Sequence, residues 1–153
     1  MSTTTPTTII FFVPGIPAPG GSKRFVGIGK RTGRAILIDA GGQRNKDWRA
    51  NVGHHALIAM EGKVQFERRP LMVNLTFFMP RPKYHFRRDG TLRDDAPRYH
   101  TTKPDAIKLA RAAEDAMTGI IYRDDALTAA ITSAKYYANP DESCGCRVEI
   151  MTL

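Results

Sequence analysis

The rhythm of apolar and polar positions predicts seven elements in the order β-β-α-β-α-β-β, an α+β domain with a mixed sheet and two main helices packed on it. Residues 9–13 form a short β-branched and aromatic run of strand type. Residues 14–22 hold three prolines and three glycines, which excludes a regular element there. Lys23, Arg24, Lys30, Arg31 and Arg34 follow among glycines, reading as a mobile basic hairpin or loop with 35–38 as its returning strand. Residues 45–60 have helical spacing, with Trp48, Val52, Ala56 (or His55) and Ala59 on one face. Residues 71–79 alternate as a strand, and the polar stretch 80–103 shows no period, so a long functional or disordered loop is expected. The clearest helix is 105–118: Asp105 is placed to cap it, Leu109, Ala112, Ala113, Ala116 and Met117 form its stripe, and Gly119 ends it. Residues 129–137 and 146–151 read as closing strands joined by a turn at Asn139-Pro140-Asp141-Glu142. The Thr-rich residues 1–8 are expected to be a disordered tail, leaving 9–153 as one domain.

Composition narrows the class. With 153 residues, 42% hydrophobic and 25% charged, the chain has enough apolar content to bury a core without staples. No apolar run approaches the ~18–20 residues that span a bilayer, and residues 1–8 have neither the charge nor the apolar run of a secretory signal. The two cysteines, Cys144 and Cys146, are separated by a single residue, which disfavours a disulfide between them. No second Cys/His pair lies near them to complete a zinc site. A reducing, cytoplasmic setting is expected.

Charge changes the picture more. The net charge is +8, distributed as +6 over residues 1–60, +5 over 61–104 and −3 over 105–153. A basic surface around an acidic centre suits a polyanion, and nucleic acid is the commonest one, since Lys and Arg displace counterions condensed on phosphates. The plainer alternative is a basic protein without such a ligand. Within 80–103, Arg81, Lys83, Arg87 and Arg88 interleave with Tyr84 and Phe86, as in a surface that also stacks on bases. The histidines show no metal-binding spacing, so helix packing for His54 and His55 and surface exposure for His85 and His100 are the better readings.

Acidic residues flank the second helix: Asp105 at its start, Asp124-Asp125 just beyond its end. Carboxylates gathered from distant positions repel, and their coexistence points to a divalent cation such as Mg²⁺. Read singly, Asp105 is equally a helix cap and Asp124-Asp125 a solvated turn.

The joint pattern is more specific. Lys103-Pro104-Asp105-Ala106-Ile107-Lys108-Leu109-Ala110-Arg111-Ala112-Ala113-Glu114-Asp115-Ala116-Met117-Thr118-Gly119, then Tyr122-Arg123-Asp124-Asp125-Ala126, resembles the core of the RusA family of Holliday junction resolvases. That family's pattern runs roughly K-P-D-x-D-N/K-L-x-K/R-A-x-x-D-A-L-T-G, then Y/W-x-D-D-x-Q. The Pro-Gly segment before Lys23 and Arg24 and the strand at 71–79 also look like its N-terminal half. The resemblance implies a homodimeric, RusA-like endonuclease that binds four-way DNA junctions and makes paired nicks with Mg²⁺ (Mn²⁺ substituting). It implies no nucleotide cofactor and no membrane partner, and a phage- or prophage-encoded protein acting in the cytoplasm of a bacterial host. Carried over, Asp105 and Asp125 match metal-binding positions, with Asp124 a further ligand or support. Arg111 matches the basic helix position, where it would stabilise charge developing on a phosphate. Asp115 matches another acidic position, spaced to orient Arg111 as an i,i+4 pair, and Lys108 is a supporting group. Lys23, Arg24, Lys30, Arg31, Arg34, Arg81, Lys83, Arg87, Arg88 and Lys103 are the expected DNA contacts.

Two positions depart from the family pattern: Ile107 stands where it has a second Asp, and Leu127 where it has Gln. Isoleucine cannot ligate Mg²⁺, so the acidic set lacks one ligand. The alternatives are therefore a catalytically weak or inactive junction-binding protein, or a phage nuclease acting on branched or flap DNA.

Overall fold

Strand β4 (Leu71–Met79) is the centre of the architecture. Its residues alternate without a break: Leu71, Val73, Leu75, Phe77 and Met79 are buried and those between are half-buried. That is the period-2 pattern of a strand with one face on the core. Each large side chain so buried contributes about 1.5–3 kcal/mol. The computed structural model describes residues 5–20, 23–39 and 42–153.

The remaining elements are β1 (Thr8–Pro14), β2 (Lys23–Ile28), β3 (Ala35–Asp39), α1 (Gly42–Ala59), α2 (Ala106–Met117), β5 (Thr128–Tyr137) and β6 (Gly145–Thr152). The main sheet has the order β1-β6-β4-β5, antiparallel except for the parallel β4–β5 pair. Parallel neighbours need a long crossover, and residues 80–127, containing α2, provide it. The fold is α+β with a mixed sheet, as expected. Helix α1 packs on α2 and β1, and α2 on β5, so both helices cover the same face. Helix α1 buries Trp48, Val52 and Ala56, which settles the stripe on Ala56 rather than His55. Helix α2 buries Leu109, Ala112, Ala113 and Met117 as its spacing predicts. Among the described residues, no helix is long and apolar enough to cross a membrane.

The Pro-Gly segment is a fixed strap. Its backbone bonds Gly15 to Cys144 (3.0 Å) and Gly20 to Lys108 (3.1 Å), while Asn45 and Asn51 of α1 donate to the Pro19 and Pro14 carbonyls. Gly20 suits this approach: a Cβ there would crowd that of Ala112 at 3.0 Å.

Three expectations are sharpened or changed. The tail expected over 1–8 lies outside the described residues only at 1–4; Thr7 exchanges hydrogen bonds with Thr152, and Thr8 begins β1. Of the two alternatives for the basic stretch 23–34, the hairpin is the one found: β2 and the returning strand β3 form a separate two-stranded sheet with a bulge between Phe25 and Gly27. The stretch 80–103 is ordered, holding a 3₁₀ turn at Lys83–His85 and running along the outer edge of β5, where His100 donates to Lys135 and Tyr137 to Arg98 (3.2 and 2.9 Å). Its anchors are polar and aromatic, which leaves no hydrophobic period to read.

Candidate active site

Helix α2 and strand β5 lie side by side, tied at one end by Ser133 Oγ donating to the Ala106 carbonyl at 2.8 Å. The apolar stripe of α2 turns into the core, so Ile107, Arg111 and Glu114, spaced i, i+4, i+7, share the opposite stripe. After α2 the chain doubles back: Gly119 bonds Tyr122, and the Asp124 carboxylate accepts from Ala126 N (2.9 Å) to cap a 3₁₀ turn at Asp125–Leu127. This return brings Asp125 to the C-terminal end of α2. The resulting groove, about 470 Å³, is lined by Ile107, Arg111, Glu114, Asp115, Asp125 and Ser133, among others.

The acids in this groove strain one another electrostatically. Burial pushes the Glu114 carboxyl above its ordinary range; the nearby Thr128 hydroxyl opposes this in part, and the charges of Asp125 and Asp115 add to it. Its Oε1 is buried with no hydrogen-bond partner. Asp125 is also raised, first by desolvation, then by Asp124 through both a hydrogen bond and its charge, then by Asp115. Burial, then the charges of Glu114, Asp125 and Asp115, drives the Tyr122 phenol far up, so it stays protonated. Such a set of hard oxygen donors favours a divalent cation, which relieves the repulsion.

Not every predicted residue joins this groove. Asp105 occupies the cap position of α2 by backbone geometry, yet its side chain makes no capping bond; its carboxyl is exposed and 3.8 Å from Lys108 Nζ. It precedes the first groove residue, Ala106, and ten residues of helix, ~15 Å of rise, separate it from Asp115. Lys135 fixes the approach to Asp105 by donating to the carbonyls of Thr102 and Pro104, both at 2.8 Å. The expected Arg111–Asp115 pair is replaced by one between helices, Arg49 to Asp115 at 3.9 Å. Among the described residues, no three His, Cys, Asp or Glu side chains converge into a complete metal cage. Mg²⁺ does not require one, since it takes one or two protein carboxylates and fills its shell with water and phosphate oxygens. The groove fits that demand through Asp125 and Glu114. Glu114 is the residue that sequence reasoning misses; its i+7 relation to Ile107 is the available signal.

The basic residues divide. Lys30, Arg31 and Arg34 are exposed around the turn of the β2–β3 hairpin, and Lys83, Arg88 and Lys103 are exposed along the stretch 80–103. The side chains of Lys23 and Arg24 lie outside the described part of the molecule. Arg81 and Arg87 are internal braces instead. Arg81 donates to the Ala138 (2.9 Å) and Pro97 (2.7 Å) carbonyls and lies 5.2 Å over the Tyr137 ring; Arg87 donates to Leu92 O and pairs with Asp94 at 2.9 Å. His85 and His100 are buried rather than exposed, each edge-on to Tyr137. Of the two proposed stacking aromatics, Tyr84 is 72% exposed whereas Phe86 is half-buried. Arg81→Ala is expected to destabilise the protein by about 2–3 kcal/mol, because two charge-assisted bonds disappear and their carbonyls are left unpaired. Urea denaturation measures this, with Lys83→Ala as a near-neutral control.

A family model described as Endodeoxyribonuclease RusA matches residues 14–151. Among curated proteins, no relative matches the chain.

Proposed function

The chain belongs to the RusA endodeoxyribonuclease family, and from that premise we propose that it is a Mg²⁺-dependent, structure-selective nuclease that resolves four-way DNA junctions by paired nicks. The observation that carries this reading is the groove itself: an exposed Arg111 beside a buried, unpaired Glu114 oxygen and the strained Asp125. When bound, Mg²⁺ supplies Lewis-acid polarisation of the scissile phosphate and acidifies a water. Asp125 and Glu114 would hold it, and Asp124 caps the turn that carries Asp125. Asp115, held by Arg49, adds negative charge behind them. Arg111 binds the phosphate and stabilises the charge that grows on it in the transition state. Asp105, exposed at the N-terminal end of α2 and not among the groove's lining residues, would be an outer carboxylate available to the ion through its bound waters. Two copies would place two such grooves on a substrate of near two-fold symmetry, which is what paired nicks demand.

The exposed cations of the hairpin grip the junction arms in this reading. Replacing Lys30, Arg31 and Arg34 together by Ala is expected to weaken binding and flatten the plot of log affinity against log salt by ~0.9 for each phosphate that the variant no longer neutralises. Fluorescence anisotropy on a labelled junction measures both.

A second reading has one observation behind it: Ile107, 81% exposed, is an apolar residue in the groove where the family pattern has an acid. A protein that binds junctions without cutting them would share the salt dependence. Cleavage of a labelled four-way junction in competition with unlabelled junction, flap and plain duplex tests the proposal. Preferential inhibition by unlabelled junction supports it, whereas equal inhibition by flap or duplex removes the junction selectivity.

A further inference from the structure

Two hollows meet at the N-terminal end of α2. The acidic groove begins at Ala106, and a second hollow of about 670 Å³ ends at Pro104, so Asp105 stands between them. The strap walls this second hollow with residues 15–19, and α1 faces the strap with Arg44, Asp47 and Trp48. Both walls are held in place. Gly15 and Gly20 of the strap donate to the carbonyls of Cys144 and Lys108, and Asn51 of α1 donates to that of Pro14. A hollow built this way exists before a ligand arrives, which lowers the ordering cost of binding.

Its chemistry suits a flat ring with a polar edge. Pro17, Pro80 and Pro104 offer rigid apolar surfaces. Arg44 and Asp47, exposed and three residues apart on α1, offer donors and an acceptor side by side. One oxygen of Asp47 accepts from Gln43 Nε2 at 2.7 Å, and a carboxylate has two. Trp48 is 3% exposed, and its indole Nε1 has no hydrogen-bond partner among the described residues. A buried donor without an acceptor is a cost that a ligand bearing an acceptor removes. The volume lies within the ~300–1,000 Å³ of small-ligand sites. A nucleobase matches this set, having flat faces and donors and acceptors confined to its edges. Position favours a base that belongs to a strand. Lys103, Lys108 and Arg111 are exposed along the path from the hollow to the groove, which suits a run of phosphates. Six residues of α2 separate Arg111 from Asp105, about 9 Å of rise. At ~3.4 Å for each nucleotide of a stacked strand, that is two or three nucleotides.

We propose that the hollow between the strap and α1 receives one unpaired nucleobase of the strand held in the groove, with Arg44 and Asp47 on its polar edge. The proposal rests on the nuclease reading for the strand that passes Asp105, and it adds a base-binding subsite to the phosphate-binding groove. Trp48 is the chain's one tryptophan, so its fluorescence reports on this hollow. In EDTA, a bound four-way junction is expected to quench that fluorescence, and a bound plain duplex is not, because its bases stay paired and stacked. Single bases are then removed from the junction strands one position at a time. Quenching should be lost at one position near the branch point, two or three nucleotides from the nick. That abasic junction should also bind about tenfold more weakly than the intact one. Arg44→Ala should shrink this difference, whereas Lys30→Ala should weaken intact and abasic junctions alike. The abasic series on the wild-type protein needs no variant to fold. Unchanged Trp48 emission on bound junction, or equal quenching by every abasic junction, overturns the proposal. Nicking in Mg²⁺ is scored separately. Base-dependent quenching without nicking keeps the hollow and removes the nuclease, and nicking without quenching does the reverse.

Discussion

Asp125→Asn is expected to lower junction cleavage by about 10³-fold while junction binding stays intact or tightens. The amide has the size and shape of the carboxylate but removes one negative charge and one anionic donor from the groove. Cleavage falls because the cation loses a principal ligand. Binding does not fall, because a charge that repelled the approaching phosphate is gone. The substitution also acts on its neighbours: Asp125 is one of the charges that raise Glu114 and Tyr122, so its loss lets Glu114 ionise more readily. Strand-labelled denaturing gels measure the first effect and anisotropy the second. Full activity in the variant would remove Asp125 from the metal site.

Glu114→Gln is expected to raise the Mg²⁺ concentration for half-maximal cleavage by about tenfold or more, and to stabilise the metal-free protein. The second effect follows from the direction of the shift. The folded-state pKa of Glu114 is raised, so its contribution to stability is full below the ordinary carboxylate value and is lost as pH rises through the raised one. Above the raised value the desolvated side chain is therefore a cost, of charge or of proton uptake, that glutamine lacks. Thermal denaturation in EDTA should give a higher Tm for the variant than for wild type at pH 8, with the difference vanishing on acidification. Added Mg²⁺ should raise the Tm of wild type more than that of the variant. An unchanged Mg²⁺ response would return the second ligand to Asp105 or Asp115.

What the sequence discloses about this molecule follows the range of the interactions involved. Residues 71–79 and 105–118 are readable because each turns a regular apolar stripe toward one core, a property of local spacing. The acids at 105 and 124–125 are readable as a joint pattern, and the short return after Gly119 accounts for how Asp125 reaches the helix. Interactions between elements are hidden. Local spacing suggests Arg111 for Asp115, but α1 packs on α2 and brings Arg49 instead. Arg81 resembles a DNA-binding residue in a basic run, yet its acceptors, the carbonyls of Pro97 and Ala138, come from residues 16 and 57 positions away. His85 and His100 read as loop residues because the ring they both pack on, Tyr137, belongs to a strand that follows them. Glu114 is obscured for the opposite reason: in sequence it is one more charge on an amphipathic helix, and its meaning comes from burial beside Asp125.

Together these residues describe a nuclease-family chain whose acidic groove runs along α2 with an exposed isoleucine at 107 in its lining. Asp105 stands exposed just before the N-terminal end of the groove, and the C-terminal end gathers the desolvated acids. The most direct test is to incubate the wild-type protein with a mobile four-way junction, each strand labelled in turn, in Mg²⁺ and in EDTA. The account predicts nicks on two opposing strands in Mg²⁺ and none in EDTA. Tight junction binding with no cut in either Mg²⁺ or Mn²⁺ would contradict it.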